Sequence, residues 1–323
     1  MPRAFESVGA SLRKHGLLGY VRLTAVDHLI LPFASLGLSP AAYNSLETFL
    51  FLGYWPSLRN PQTFNEKLLW RKLYDKNPLY PVVTDKYRVR DFVAGRVGKR
   101  ALIKLLYVTD DPATIPFDSL PQSYVVKANF GAGRNIFVRN KKGVNEKEIV
   151  SRCQSWLGEK SNGEHDRWKY HDMPRMILVE EMLDCGDREF PVDYKFYVFH
   201  GKVRMTEVAM QWKGKIRRNL YDEDRQLLDV VWKDRRDRLD DVQFPARFEE
   251  MRGLAEALAA GFDFVSVDLY LVRDACVFGE MSLFPEGGTG RFVPRSFDRR
   301  LGSYWHLGQM PRSDGSAQGT SVA

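Results

Sequence analysis

Late in the chain, two apolar runs each hold one carboxylate near the middle. FVSVDLYLV, residues 264–272, carries Asp268, and CVFGEMSLF, residues 276–284, carries Glu280. Both are short and rich in β-branched and aromatic residues, the composition of strands. Arg273-Asp274 between them predicts a turn, so the strands run antiparallel. A charge inside an apolar strand is costly unless it is paired or binds a metal. The 12 positions from Asp268 to Glu280 let one hairpin set both acids side by side. Magnesium takes one or two carboxylates and completes its shell with phosphate and water. Ser282 lies two residues past Glu280 and points to the same face. Any fold for this chain therefore contains a sheet with a polar centre on one face. Glu207 is the contrasting acid: its strand is less apolar, and an exposed position is expected there.

More strands of the same texture precede this hairpin. LIKLLYV, SYVVKAN, NIFVRN and MILVEEML are short runs beginning at Leu102, and residues 145–158 predict a helix among them. DYKFYVFHGKVRMTEVAM follows, with a turn at His200-Gly201, and then the strand-like RRNLYD. Residues 245–260 predict a helix stopped by Gly261. The first 80 residues read as helical, with breaks at Pro32, Pro40, Pro56 and Pro61. Residues 63–75 predict a helix in which Thr63 and Glu66 form a capping box. Residues 84–95 predict another, capped by Thr84. The fold class is α+β, with two sheet-bearing subdomains.

At 323 residues the chain has room for about two domains and a sizeable core. Its 44% hydrophobic and 28% charged residues exclude collagen, wholesale disorder and a polytopic membrane protein. The net charge of +7 suits an anionic ligand. Cys153, Cys185 and Cys276 have neither zinc-site nor redox spacing, which points to idle thiols in a reducing, cytoplasmic setting. The stretch 17–38 is interrupted by Arg22, Asp27 and His28, too polar for a spanning helix or a secretory signal. Residues 1–38 mix Arg3, Arg13, Lys14 and Arg22 with apolar residues. They fit a helical layer packed on the domain, or an amphipathic pair making peripheral contact with the inner face of a membrane. The Ser/Gly/Ala-rich tail 311–323 is expected to be disordered.

Three further segments carry candidate chemistry. In YVVKANFGAGRNIFV, residues 124–138, a strand ends in Lys127 and a loop follows over Asn129, Gly131, Gly133 and Arg134. Gly131 and Gly133 let backbone approach a ligand, and loop N–H groups form a nest for phosphate oxygens. Taken alone, the segment reads as a hairpin turn with a surface lysine. In MILVEEML, the strand runs into Glu180, Glu181, Met182 and Leu183. A strand becoming a linker supplies the backbone groups and apolar walls that adenine needs, and solvated glutamates closing a strand fit equally. In DYKFYVF, Asp193, Lys195 and Tyr197 share one face, which lines a cleft or is half-exposed.

The order of these elements resembles the ATP-grasp superfamily: lysine strand, glycine loop, Glu-Glu-Met-Leu hinge, then acids on late neighbouring strands. TDKYRVR at 84–90 and GEMSLFP add to it, with Ser282 where the family often has Asn. NPQTFNEKLLWRKLYD, TDKYRVRDFV, LPQSYVVKANFGAG, DYKFYVFHGKV and FGEMSLFPEGG resemble its TupA-like branch, named for teichuronopeptide biosynthesis, over residues 60–292. The resemblance implies two α+β subdomains clamping ATP. It implies a helical region 1–83 and a nucleotide-binding region 84–310, divided into 84–190 and 191–310. It implies an ATP-dependent carboxylate–amine ligase working through an acyl phosphate in cell-surface polysaccharide or capsule biosynthesis. Lys86 and Lys127 would then hold phosphates. Glu180 with the backbones of Glu181 and Leu183 would read adenine, and Asp187 would reach the ribose. Asp268, Glu280 and Ser282 would hold Mg2+. Lys195 and Arg218 would neutralise the transferring phosphoryl group, and Arg291 would reach the acceptor.

The implied partners are ATP, an acidic sugar or glycan precursor, and an amine or amino acid. The basic segment 212–225, with Trp212 and Tyr221 as stacking faces, fits an acidic sugar or a solvated hairpin. The alternatives are a sugar kinase using the same site, and a glycosyltransferase or glycan-binding protein. Nucleic acid is not expected as a partner, because the charge is spread along the chain without an aromatic RNA-binding strand.

Overall fold

The computed structural model describes residues 37–159, 173–212, 215–232, 238–240 and 242–308. The expectations for residues 1–36 and for the tail 311–323 lie outside the described residues. The chain enters through helix α1 (Pro40–Leu52), which Pro40 starts from its first turn and Gly53 ends in a left-handed conformation. Pro40 thus opens a helix rather than breaking one.

Helix α2 (Phe64–Tyr74) has the predicted capping box. Thr63 Oγ1 accepts the Glu66 N–H, and Glu66 returns its carboxylate to the Thr63 N–H at 2.9 Å. The helix expected over 84–95 is two helices, α3 (Tyr80–Thr84) and α4 (Val89–Val97). Pro81 favours an earlier start. The Thr84 hydroxyl caps nothing and donates back to the Tyr80 carbonyl. Asp85 accepts the Tyr87 N–H at 2.8 Å in the turn before α4, which itself has no side-chain cap.

The smaller sheet consists of β1 (Leu105–Thr109), β2 (Tyr124–Ala128), β3 (Asn135–Val138) and β4 (Ile177–Glu181). Its order is β1-β4-β2-β3, antiparallel throughout. Helix α5 (Glu146–Gly158), capped by Asn145, covers it with Ile149, Cys153 and Trp156. The larger sheet takes β5 (Asp193–Phe199), β6 (Lys202–Trp212) and β7 (Lys215–Asp222). A two-residue strand β8 (Val231–Trp232) and helix α6 (Phe248–Leu258) precede its last strands, β9 (Phe264–Val272) and β10 (Ala275–Ser282). The order is β10-β9-β5-β6-β7, again antiparallel. Strand β11 (Phe292–Val293) pairs with β8, and α7 (Ser296–Ser303) follows. The predicted turns stand at His200-Gly201 and Arg273-Asp274, all four residues with positive φ.

The described residues form two hydrophobic cores. One lies between the smaller sheet and α5. The other joins the larger sheet to α2, α3, α4 and α6, so the early helices share the core of the late strands. Phe64 of α2 packs edge-on against Phe264 at 4.9 Å. Arg71 is wholly buried there, with its guanidinium over Trp305 and hydrogen bonds to Asp263 and the Phe264 carbonyl. The cysteines are free: Cys153 is in the smaller core, Cys276 in the larger, and Cys185 on the link between the sheets.

The acid-bearing hairpin contains a feature that its strand pattern hides. A two-residue turn at 273–274 pairs Phe278 with Leu269, which would put residue 279 opposite Asp268. The register shifts by one at Gly279, and this bulge brings Glu280 opposite Asp268. The β5–β6 hairpin shifts in the same way, with Arg204 as the extra residue, and Glu207 comes opposite Lys195. Since Lys195 also pairs with Asp268, four side chains form one row across the sheet: Glu280, Asp268, Lys195, Glu207.

Candidate functional site

A cleft opens where the two sheets meet. Lys127 and Glu180 line it from the smaller sheet, Lys86 and Arg90 from the helical segment, and Gly279, Glu280 and Met281 from the larger sheet. Lys86 is tied to the glycine loop, its N–H to the Asn129 carbonyl at 2.9 Å and its ammonium to the Gly131 carbonyl at 2.7 Å. Burial lowers the pKa of this ammonium, with Glu280 opposing and Lys127 and Arg134 adding to the shift.

Gly131 and Gly133 both have positive φ, as the loop requires. Asn129 is wholly buried and its amide is fully used inside the protein. It donates to Asp85 at 3.0 Å and to the Pro174 carbonyl, and accepts the Met176 N–H at 2.9 Å. It shapes the loop from behind. Arg134 pairs with Glu159 and lies over Phe130.

Glu180 is buried between two cations, Lys127 at 2.6 Å and Arg90 at 3.1 Å. Its carboxylate therefore organises Lys127. The Glu181 N–H is committed to the Lys104 carbonyl at 3.0 Å. Met182 and Leu183 are half-buried beyond the strand, and Asp187 is exposed in the turn that follows. Asp184, on the same link, pairs with Arg273 of the β9–β10 turn.

The row across the larger sheet supplies the other wall. Lys195 donates to Asp268 Oδ2 at 2.5 Å. The second oxygen, Asp268 Oδ1, is buried without a hydrogen-bond partner, as is Asp193 Oδ1. Burial pushes the Asp268 carboxyl well above the usual range against the pull of Lys195, and Asp193 and Glu280 add to the rise. Burial works against the charge of Lys195, yet Asp268, Asp193, Glu207 and Glu280 together hold its pKa above the usual lysine range. These four carboxylates face Lys195 and Arg218, and Glu280 also faces Lys86 across the cleft. The orphaned Asp268 oxygen and the exposed Glu280 carboxylate fit a divalent cation. Ser282 pairs with Ser266 one step along, and its carbonyl accepts the Ser266 hydroxyl at 3.3 Å. Among the described residues, no group of three or more His, Cys, Asp or Glu side chains is placed to hold a metal ion by itself. Phosphate oxygens would have to complete the shell, which is how magnesium is commonly held.

Two expectations are corrected here. Glu207 is buried, not exposed, because Arg218 and Tyr197 close over it. Tyr221 offers no face to a sugar: it is buried edge-on against Phe244 and accepts a hydrogen bond from Asn219. The side chain of Trp212 and residues 213–214 lie outside the described residues. Arg291 is exposed, beyond the glycine-rich turn that follows β10. Sequence reasoning missed Arg90 and Glu207. TDKYRVR held a signal for Arg90, one turn past Lys86, whereas Glu207 gave none before its strand partners were known.

A family model described as TupA-like ATP-grasp matches residues 66–306. No curated protein matches the chain. Among solved structures, the N5-carboxyaminoimidazole synthase of Aspergillus clavatus is 13% identical, over 64% of this chain and 46% of that one, with a TM-score of 0.40. The ATP-grasp ligase PsnB with its minimal precursor is 12% identical, over 68% and 58%, with a TM-score of 0.37. The D-alanine–D-alanine ligase of Bacillus anthracis is 12% identical, over 71% and 68%, with a TM-score of 0.41. The chain spans about half the length of the first two.

Proposed function

The chain belongs to the TupA-like ATP-grasp family, and from that premise we propose that it joins a carboxylate to an amine at the expense of ATP. ATP-grasp proteins are in general carboxylate–amine ligases that use ATP and Mg2+. The observation that carries the reading is the convergence of Lys86, Lys127 and Glu280 on one cleft, beside Asp268 with its unpartnered buried oxygen.

Lys86 and Lys127 bind phosphate oxygens, with Gly131 and Gly133 closing the loop over them. Glu180 and Arg90 hold Lys127 in place before the nucleotide arrives. Met182, Leu183 and the carbonyl of Glu181 meet adenine, and Asp187 meets the ribose. Asp268 and Glu280, with Ser282, would hold magnesium, which would offset the negative charge of the phosphates. Lys195 and Arg218 face the phosphoryl group in transit. The acceptor carboxylate attacks the γ-phosphorus and ADP leaves. The amine then attacks the acyl phosphate, and phosphate departs as the amide forms. The protein chiefly positions the reactants and stabilises spread negative charge.

The acid is an acidic sugar or glycan precursor and the product serves a cell-surface polysaccharide. The net charge of +7 and the exposed Lys215 and Arg217 on β7 support an anionic acceptor, with Arg291 as a further contact. No described helix is long and apolar enough to cross a membrane. Peripheral contact through residues 1–38 belongs to the same proposal.

Calorimetry tests the nucleotide site. Magnesium-dependent ATP binding is expected in the wild type, weakened about tenfold or more by Glu280→Ala and by Lys127→Ala. A folded wild type that binds no ATP would sink the reading. ADP release that needs both an acid and an amine supports the ligase. A stable phosphorylated sugar formed without any amine would make it a kinase instead.

A further inference from the structure

We propose that Glu207 is a positioning residue for phosphoryl transfer: from β6 it grips Arg218 and Tyr197, and so aims the guanidinium at the terminal phosphoryl group of the nucleotide. This rests on the nucleotide-binding reading above. Both Glu207 oxygens are engaged. One accepts from Arg218 Nη1, and the other accepts from the Tyr197 hydroxyl at 3.3 Å. The residue is only 2% exposed.

Arg218 is only half satisfied by this contact. Its side chain is 10% exposed, and its Nε is buried without a hydrogen-bond partner. A buried N–H left unmade is costly, and an oxyanion is the partner that best completes a guanidinium. The guanidinium is planar and rigid, so gripping one edge fixes where the other points. Arg218 stands one diagonal step from Glu207 on the same face, in the row of Asp193, next to the row that holds Lys195 and the magnesium-binding acids.

The ladder supports the assignment independently. Without the extra residue at Arg204, the β5–β6 hairpin would set Thr206 opposite Lys195 and turn Glu207 to the other face. The same kind of shift on the other side aligns Glu280 with Asp268. Two separate irregularities thus converge on one row, and bulges commonly re-aim a side chain in this way.

The test compares two nucleotides by calorimetry, Mg-ADP and the β,γ-imido analogue of Mg-ATP. In Glu207→Gln, affinity for the imido analogue is expected to fall roughly tenfold, with ADP changed less than about twofold. Arg218→Ala should show the same selective loss, and the double variant no further loss. Equal weakening of both nucleotides, with a lower melting temperature, would reduce Glu207 to a structural role and overturn the proposal. An unchanged ratio would overturn it as well. If Glu207→Gln does not fold, Tyr197→Phe removes only the hydroxyl. It should cost the imido analogue about two- to threefold selectively, and the absence of that loss also counts against the proposal. A folded wild type that binds neither nucleotide would overturn the nucleotide-binding reading itself, a result distinct from a lost selectivity.

Discussion

Asp193 opens β5 with a carboxyl that burial pushes up to about 6, against Lys195 and with Glu207 and Glu280 adding to the rise. A carboxyl whose pKa is raised by folding binds its proton more tightly in the native state. Its contribution to stability is therefore full below about pH 4 and is lost as pH rises through about 6. Asp193→Asn should stabilise the protein by roughly 1–3 kcal/mol at pH 7.5 and by little at pH 4.5, as read by urea unfolding at both values. A variant equally stabilised at both would show that the carboxyl is not the cause. At this scale the sequence was partly legible. Asp268 and Glu280 stood out because a charge inside an apolar strand needs a reason, whereas Lys86 and Lys127 were given a role only through the family resemblance. Glu207 did not stand out, because its reason lies in Tyr197 on one neighbouring strand and Arg218 on the other.

At the scale of elements, strand and turn positions were readable from β-branched runs and from dipeptides that tolerate positive φ. Register was not. A bulge adds one residue without disturbing the apolar pattern, so twelve positions between two acids looked sufficient and were one residue out. Gly279 marks the place. A Cβ there would meet the Tyr270 ring at 2.9 Å, closer than real side chains approach. Gly279→Ala should displace Tyr270 or the bulge, lower stability by about 1–3 kcal/mol and weaken magnesium-dependent nucleotide binding. Adding Tyr270→Ala should restore part of both. Full activity in Gly279→Ala alone would mean that the bulge does not set the row. The split between α3 and α4 was hidden for a related reason: Asp85 is fixed by Asn129, 44 positions away in the chain.

For the whole molecule, one informative contact between the two cores is made by Arg90. Arg90 extends from α4, which packs with the larger sheet, to Glu180 and the Ile103 carbonyl on the smaller side. Its loss leaves Glu180 buried with Lys127 as its remaining cation. Arg90→Ala should cost about 1–3 kcal/mol and raise amide exchange over residues 102–109 and 177–183 more than in α6. Uniform change across the chain would argue against a joint at Arg90. The early helices α2, α3 and α4 pack onto the late strands of the larger sheet, and periodicity and composition do not say which strands they cover.

The three thiols turn this architecture into an internal reporter. Cys153 is sealed in one core, where burial pushes its pKa up to about 11, Cys276 is buried in the other, and Cys185 lies on the link that a bound nucleotide would border. A thiol-specific reagent should therefore label the chain in three separable phases, each timing the opening of a different part. Nucleotide should slow the phase of Cys185 first, so the motion of the clasp can be followed without introducing a probe.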